Sequence, residues 1–216
     1  NREALSAGTL TQLQRDHRAR LLNEARGLVG YCLTHNPAYP AALLRMAAIE
    51  RRSGNAAVAS GLLDRFFAAE QIDRNFPEAD DTRPADEQTL IATGLLAAAL
   101  QTWQTDDRTT TLRQLRVALQ LVHDREWSVK QLVTTALAEC LQQDHRSDEA
   151  VQLLQPGLSG SQQALALAVA LDRSEHDAEL AELVKQWRDN GSLAVMRELP
   201  GLAQVIDQLP HSEGNY

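Results

Sequence analysis

Along almost the whole chain, apolar side chains recur three and four positions apart, and no segment longer than four residues alternates between apolar and polar. That spacing follows the 3.6-residue turn of an α-helix, so such a chain buries its apolar atoms along helix stripes and lacks the pattern of a half-buried sheet. Glycine and proline, 11 and 7 of 216 residues, are too sparse to break this up often, and a 44% hydrophobic content is enough to fill a core. The chain is therefore read as all-α, and disordered, collagenous and disulfide-dense classes are excluded.

Breakers divide it into segments. A first helix covers roughly residues 10–35, with a break near Arg20-Leu21 considered, and stops at Asn36-Pro37 because proline cannot continue the hydrogen-bond ladder. Pro40 suits a first helical turn, Ser53-Gly54-Asn55 ends the helix it opens, and another runs from Ala56 to about Arg74. Residues 75–86, with Phe76-Pro77, Asp80-Asp81, Arg83 and Pro84, form an acidic proline-containing loop, either a functional insertion or a joint. Beyond it, helices are expected from Asp86 or Thr89 to Trp103, from Thr109 to His123, from a Ser128 cap to Gln143, and from Ser147 to Gln155. Turns at 156–160 and Asn190-Gly191 then frame helices over 161–171 and 175–188, and a broken helix over 193–209 precedes a short tail. The organisation is two hairpin units over 1–74, the loop 75–86, degenerate helical repeats over 87–210 and a flexible tail 211–216.

Hairpins of similar length call for a search for repeats. A 34-residue offset aligns Asn23-Glu24-Ala25 with Ala57-Val58-Ala59 and Val29 with Leu63. With Pro40 as position one, Ala47 falls at position eight, Gly54-Asn55 at the turn, Ala59 at twenty and Leu63 at twenty-four. From Ser6, the residues Ala25, Val29, Cys32 and Pro37 fall at twenty, twenty-four, twenty-seven and thirty-two, whereas Leu13 stands where a small residue belongs. Ala138 and Ala150 keep the same separation near residues 131–155. On these residues the chain resembles the tetratricopeptide repeat family. The resemblance implies a right-handed superhelical array of antiparallel helix hairpins, an α-solenoid whose units stack through small residues.

The resemblance also implies a function: a noncatalytic module or scaffold that binds a protein segment in a concave groove. Groove positions two, five, nine, twelve and thirteen fall on Ala41, Leu44, Ala48, Arg51 and Arg52 in the second unit. In the first unit the corresponding groove residues are Leu10, Gln14, His17 and Arg18, beside Ala7. An apolar floor with a basic rim suits a peptide or helix bearing apolar anchors and acidic groups. The lysine-asparagine clamp by which one subclass grips a terminal carboxylate is absent, because Leu44 and Ala48, or Leu10 and Gln14, occupy its positions. A bacterial secretion chaperone, an envelope scaffold or a regulatory adaptor all fit. An enzyme accessory domain built around the 75–86 loop, or a homo-oligomer whose groove is filled by a neighbouring copy, are the alternatives.

Composition and motifs bear on the remaining classes. Residues 1–74 carry ten basic and seven acidic side chains, and residues 75–216 eleven and twenty-two, so only short arginine groups offer a positive field and no nucleic-acid partner is expected. The longest apolar stretch, near Leu95–Leu100, is too short for a membrane span. Neither a phosphate-binding glycine loop nor an HExxH pair occurs, and Ser159 has no glycine elbow, so no cofactor and no catalysis are expected. Cys140, Asp144, His145 and Asp148 offer metal-ligand types within two turns, but a buried cysteine beside a solvated helix end is the stronger reading, and no metal is expected. Cys32 and Cys140 are read as small core residues, unpaired, which favours the cytoplasm over the periplasm as the compartment. The start at Asn1-Arg2-Glu3, without Met, is either a processed end or a fragment boundary.

Overall fold

The computed structural model describes residues 12–79, 82–105, 107–123, 125–154 and 161–197, and among these the only regular elements are helices. They are α1 Gln12–His35, α2 Pro40–Arg52, α3 Ala56–Glu70, α4 Ala85–Thr102, α5 Arg108–Leu121, α6 Trp127–Gln143, α7 Ser147–Leu154, α8 Ser161–Arg173, α9 Asp177–Asp189 and α10 Leu193–Arg197. The chain divides into two compact units, one ending at Glu78 and one beginning at Ala79.

In the first unit α2 and α3 form an antiparallel hairpin and α1 lies against α2. In the second, α4 pairs with α5, α6 with α7 and α8 with α9, while α5 meets α6 and α7 meets α8. Its core joins Leu112, Leu115, Leu137, Leu141, Leu167, Leu171, Leu183 and Trp187. These are the paired hairpins of a helical-repeat architecture.

One register recurs in every hairpin. A small residue of the first helix and the residue twelve positions on are both buried, none more than 3% exposed: Ala47 with Ala59, Ala99 with Thr111, Ala138 with Ala150, and Ala168 with Leu180. Helices meet closely where a side chain ends at its Cβ, so alanine sets the crossing, and larger residues fill the wider gaps on either side. In three of these four hairpins, seven positions after the first-helix alanine comes a left-handed turn residue, Gly54, His145 or Glu175, at φ 85, 59 and 60°. The following amide in each case reaches back five residues, Asn55 to the Glu50 carbonyl, Arg146 to Leu141 and His176 to Leu171, at 2.8–3.0 Å. This closure satisfies the carbonyls that a helix end leaves open. The repeat is thus held in the turn and the crossing, while Ala99, Ala138 and Ala168 are unequally spaced, which is why a fixed 34-residue offset loses the later units.

Several expectations need correction. Helix α1 runs unbroken through Arg20-Leu21, because neither residue relieves a left-handed turn as Gly54 does. Helix α3 stops at Glu70 rather than near Arg74: Gln71 turns left-handed, and Ile72 donates back to the Phe67 carbonyl. Helix α4 begins at Ala85 after Pro84, and neither Asp86 nor Thr89 caps it. Ser128 lies inside α6, which starts at Trp127 after Glu126, whereas Asp107 does cap α5 by accepting from the Thr110 amide. Cys32 is exposed rather than in the core. The expected turn at 156–160, Ser159, the Asp80-Asp81 pair and the helix end and tail beyond residue 197 lie outside the described residues.

Candidate protein-binding surface

Along α1, Arg15, Arg18, Leu22 and Arg26 are three or four residues apart and share one helix face. Packing of α1 on α2 brings that face to the α2–α3 turn, where Arg52, Ser53 and Asn55 complete an open cleft of about 540 Å³ with Ala19 and Leu22 as its apolar lining.

One of the four arginines is already engaged. The Arg26 Nε donates to Glu50 Oε1 at 2.6 Å, and its Nη atoms donate to Asn23 Oδ1 at 2.7 Å and Ser53 Oγ at 3.0 Å. Asn55 Nδ2 donates to Glu50 Oε2 at 2.6 Å. Glu50 is buried, and the Arg26 hydrogen bond, with that from Asn55, holds its carboxyl below the usual carboxylate range despite burial. The ionised Glu50 balances Arg26 and ties α1 to the hairpin turn. Arg15, Arg18 and Arg52 form no ion pair among the described residues, so three guanidinium groups face solvent around an apolar patch. Such a site favours an anionic group that can accept paired N–H donors beside a small apolar anchor.

Of the residues expected to line a groove, Arg18 and Arg52 come together here. Gln14 and His17 are exposed on α1 but do not line the cleft, and the His17 Nδ1 sits 3.3 Å from Arg20 Nη2. Leu44 is a correction: at 7% exposure it belongs to the interior and forms no groove floor. Ala41, Ala48 and Arg51 are half-buried and lie outside the cleft. The physical reason is that α2, with α1 and α3 both against it, keeps little open surface. Leu10 lies outside the described residues. Arg15, Leu22, Asn23 and Asn55 were not anticipated as lining residues; the spacing of the α1 arginines was the available signal, but not which helix they would meet.

The second unit has a different concavity, about 730 Å³, where the turns carrying His145 and Glu175 approach Arg108, Asp148 and Arg173. Its charges are of both signs. Nearby, Arg146 binds Glu149 with Nε–Oε1 2.6 Å and Nη2–Oε2 2.8 Å, Arg116 reaches the same carboxylate at 3.1 Å, and the Arg146 bond holds the Glu149 carboxyl low. Cys140 does not join Asp144, His145 and Asp148 in a ligand set: burial, aided by the Glu139 charge, pushes its thiol up to about 12. Among the described residues no group of three or more His, Cys, Asp or Glu side chains could hold a metal ion, and no helix is long and apolar enough to cross a membrane.

Comparison with family models, with curated proteins and with solved structures yields no match. The class rests on the chain itself: an all-helical protein of paired hairpins with helical-repeat character, a fold compatible with a protein-interaction scaffold.

Proposed function

We propose that this chain is a noncatalytic protein-binding module and that its first unit takes an acidic protein segment in the α1 cleft. The observation that carries the proposal is the convergence of Arg15, Arg18 and Arg52, without ion-pair partners among the described residues, around Ala19 and Leu22. Behind them Arg26, held by Glu50, forms one wall of the cleft. The recurring pairs Ala47/Ala59 and Ala138/Ala150 support reading the units as tetratricopeptide-like, with superhelical stacking of hairpins.

The test uses a fluorescent peptide of about ten residues, alternating Glu or Asp with Leu, titrated into the parent and into an Arg18→Glu, Arg52→Glu variant. Two reversed rim charges are expected to remove about 1–2 kcal/mol, roughly a 5- to 30-fold loss of affinity at low salt. The difference should shrink as salt screens the exposed charges. Equal affinities at both salt concentrations, with unchanged helical content, would remove the cleft from the binding surface.

A further inference from the structure

The turns of the second unit hold side chains where a glycine would be unstrained. Three non-glycine residues among those described are left-handed, Gln71, His145 and Glu175, at φ 57, 59 and 60°. Two of them, His145 and Glu175, line the cleft of about 730 Å³ in the second unit. Gly54 occupies the same register in the α2–α3 turn. Backbone strain of this kind collects where a side chain's chemistry outweighs the cost of its Cβ.

The α8–α9 turn otherwise copies the α2–α3 turn. Five and six positions after the crossing alanines Ala47 and Ala168 stand Arg52-Ser53 and Arg173-Ser174. Ser53 Oγ donates to the Ile49 carbonyl at 2.9 Å, and Ser174 Oγ donates to the Ala170 carbonyl at 2.7 Å. Neither Arg52 nor Arg173 has an ion-pair partner among the described residues. At the next position the first unit has a glycine and the second a carboxylate. Glu175 is exposed and forms no ion pair among the described residues, whereas Asp148, also in the cleft, has His176 Nε2 at 3.6 Å. Of the residues that line this cleft, Gln142 alone is buried, at 7% exposure. Its Nε2 donates to the Ala166 carbonyl at 2.8 Å, which fixes the amide, and its Oε1 accepts from no donor among the described residues. An amide oxygen so enclosed calls for a donor from a ligand.

We propose that this cleft takes a protein segment in which a basic side chain stands beside an acidic one. The basic side chain, lysine or arginine, reaches inward on its long stem, donates to Gln142 Oε1 and pairs with the Glu175 carboxylate. The neighbouring carboxylate pairs with Arg173. Charge selects this occupant over the simpler ones. A wholly acidic segment, which suits the α1 cleft, would here face Glu175 and Asp148, and a wholly basic one would face Arg173. A volume of about 730 Å³ is that of pockets for drug-sized ligands and more than a free amino acid fills. None of these residues belongs to the first unit, so the site is independent of the α1 cleft.

The test titrates a fluorescent peptide of about ten residues, alternating Lys with Glu, into the full chain carrying Arg18→Gln and Arg52→Gln, which takes the α1 cleft out of the measurement. In that background Glu175→Gly should lower affinity by about fivefold or more at low salt, and Arg173→Gln by a similar factor. Glu175→Gly separates binding from folding, because relief of the left-handed strain should raise the denaturant midpoint while affinity falls. Gln142→Met keeps the side chain's length without an amide oxygen and should cost about fivefold at unchanged helical content; an unchanged affinity would remove Gln142 from the site. Peptides alternating Glu with Leu, or Lys with Leu, should bind about fivefold more weakly or worse. Equal affinity with and without Glu175→Gly, or a mixed-charge peptide bound no tighter than the acidic one, would overturn the proposal. Full competition by free lysine at the concentration of the peptide would overturn a protein segment as the occupant.

Discussion

Glu50 is where a single side chain should control the first unit. Its carboxylate accepts from Arg26 Nε and Nη2 and from Asn55 Nδ2, so Glu50→Ala removes three hydrogen bonds and leaves a guanidinium with only Asn23 and Ser53. Breaking a buried ion pair from one side costs about 3–5 kcal/mol. The Arg26 side chain is 35% exposed, so water recovers part of that cost, and we expect a loss of about 2–3 kcal/mol for Glu50→Ala and about 1–2 for Glu50→Gln. The pH dependence has a definite sign. A carboxyl held below its ordinary value of 4.5 adds stability above that value and loses it as pH falls through the lower folded-state pKa. The gap between parent and Glu50→Gln should therefore be full well above pH 4.5 and close progressively as pH falls from there through the lower folded-state pKa. Amide exchange of α1, α2 and α3 reads this unit directly, and tryptophan fluorescence follows the other, since Trp103, Trp127 and Trp187 all lie beyond Glu78. If Glu50→Gln exchanged like the parent near neutral pH, or differed from it equally at all pH values, the pair would not hold α1 to the hairpin turn.

Two other expectations follow from backbone and burial. Glu175→Gly should raise the stability of the second unit by about 0.5–1 kcal/mol in denaturant melts, because φ 60° is strained for a residue with a Cβ; an unchanged or lower midpoint would contradict the left-handed turn. In the native protein at mildly alkaline pH, Cys32 should react with a thiol reagent at once and Cys140 only on unfolding, since burial pushes the Cys140 thiol up to about 12; two fast equivalents would refute its placement.

The sequence by itself determined the all-helical class and most of the hairpins. Apolar spacing is a property of neighbours within a turn or two, and pairs such as Ala47/Ala59 and Ala138/Ala150 mark close crossings wherever they occur. The turn at Gly54 was legible because glycine announces a left-handed residue, whereas the matching turns at His145 and Glu175 carry no such residue and are held by the closing hydrogen bonds and the packed helices on either side. Helix α1 kept its full length for a related reason: a periodic stripe is the same whether a helix continues or breaks, and no residue near Arg20 favoured the break.

The candidate site divides along the same line. That Arg15, Arg18 and Arg26 share a face follows from their spacing alone. Only tertiary structure decided that Arg52 joins them, that Leu44 is interior rather than a groove floor, and that Glu50, twenty-four residues from Arg26, neutralises one arginine and leaves three others open. Helix formation is governed by near neighbours in sequence, but the charge left on a surface depends on which distant carboxylate the fold brings within hydrogen-bonding distance.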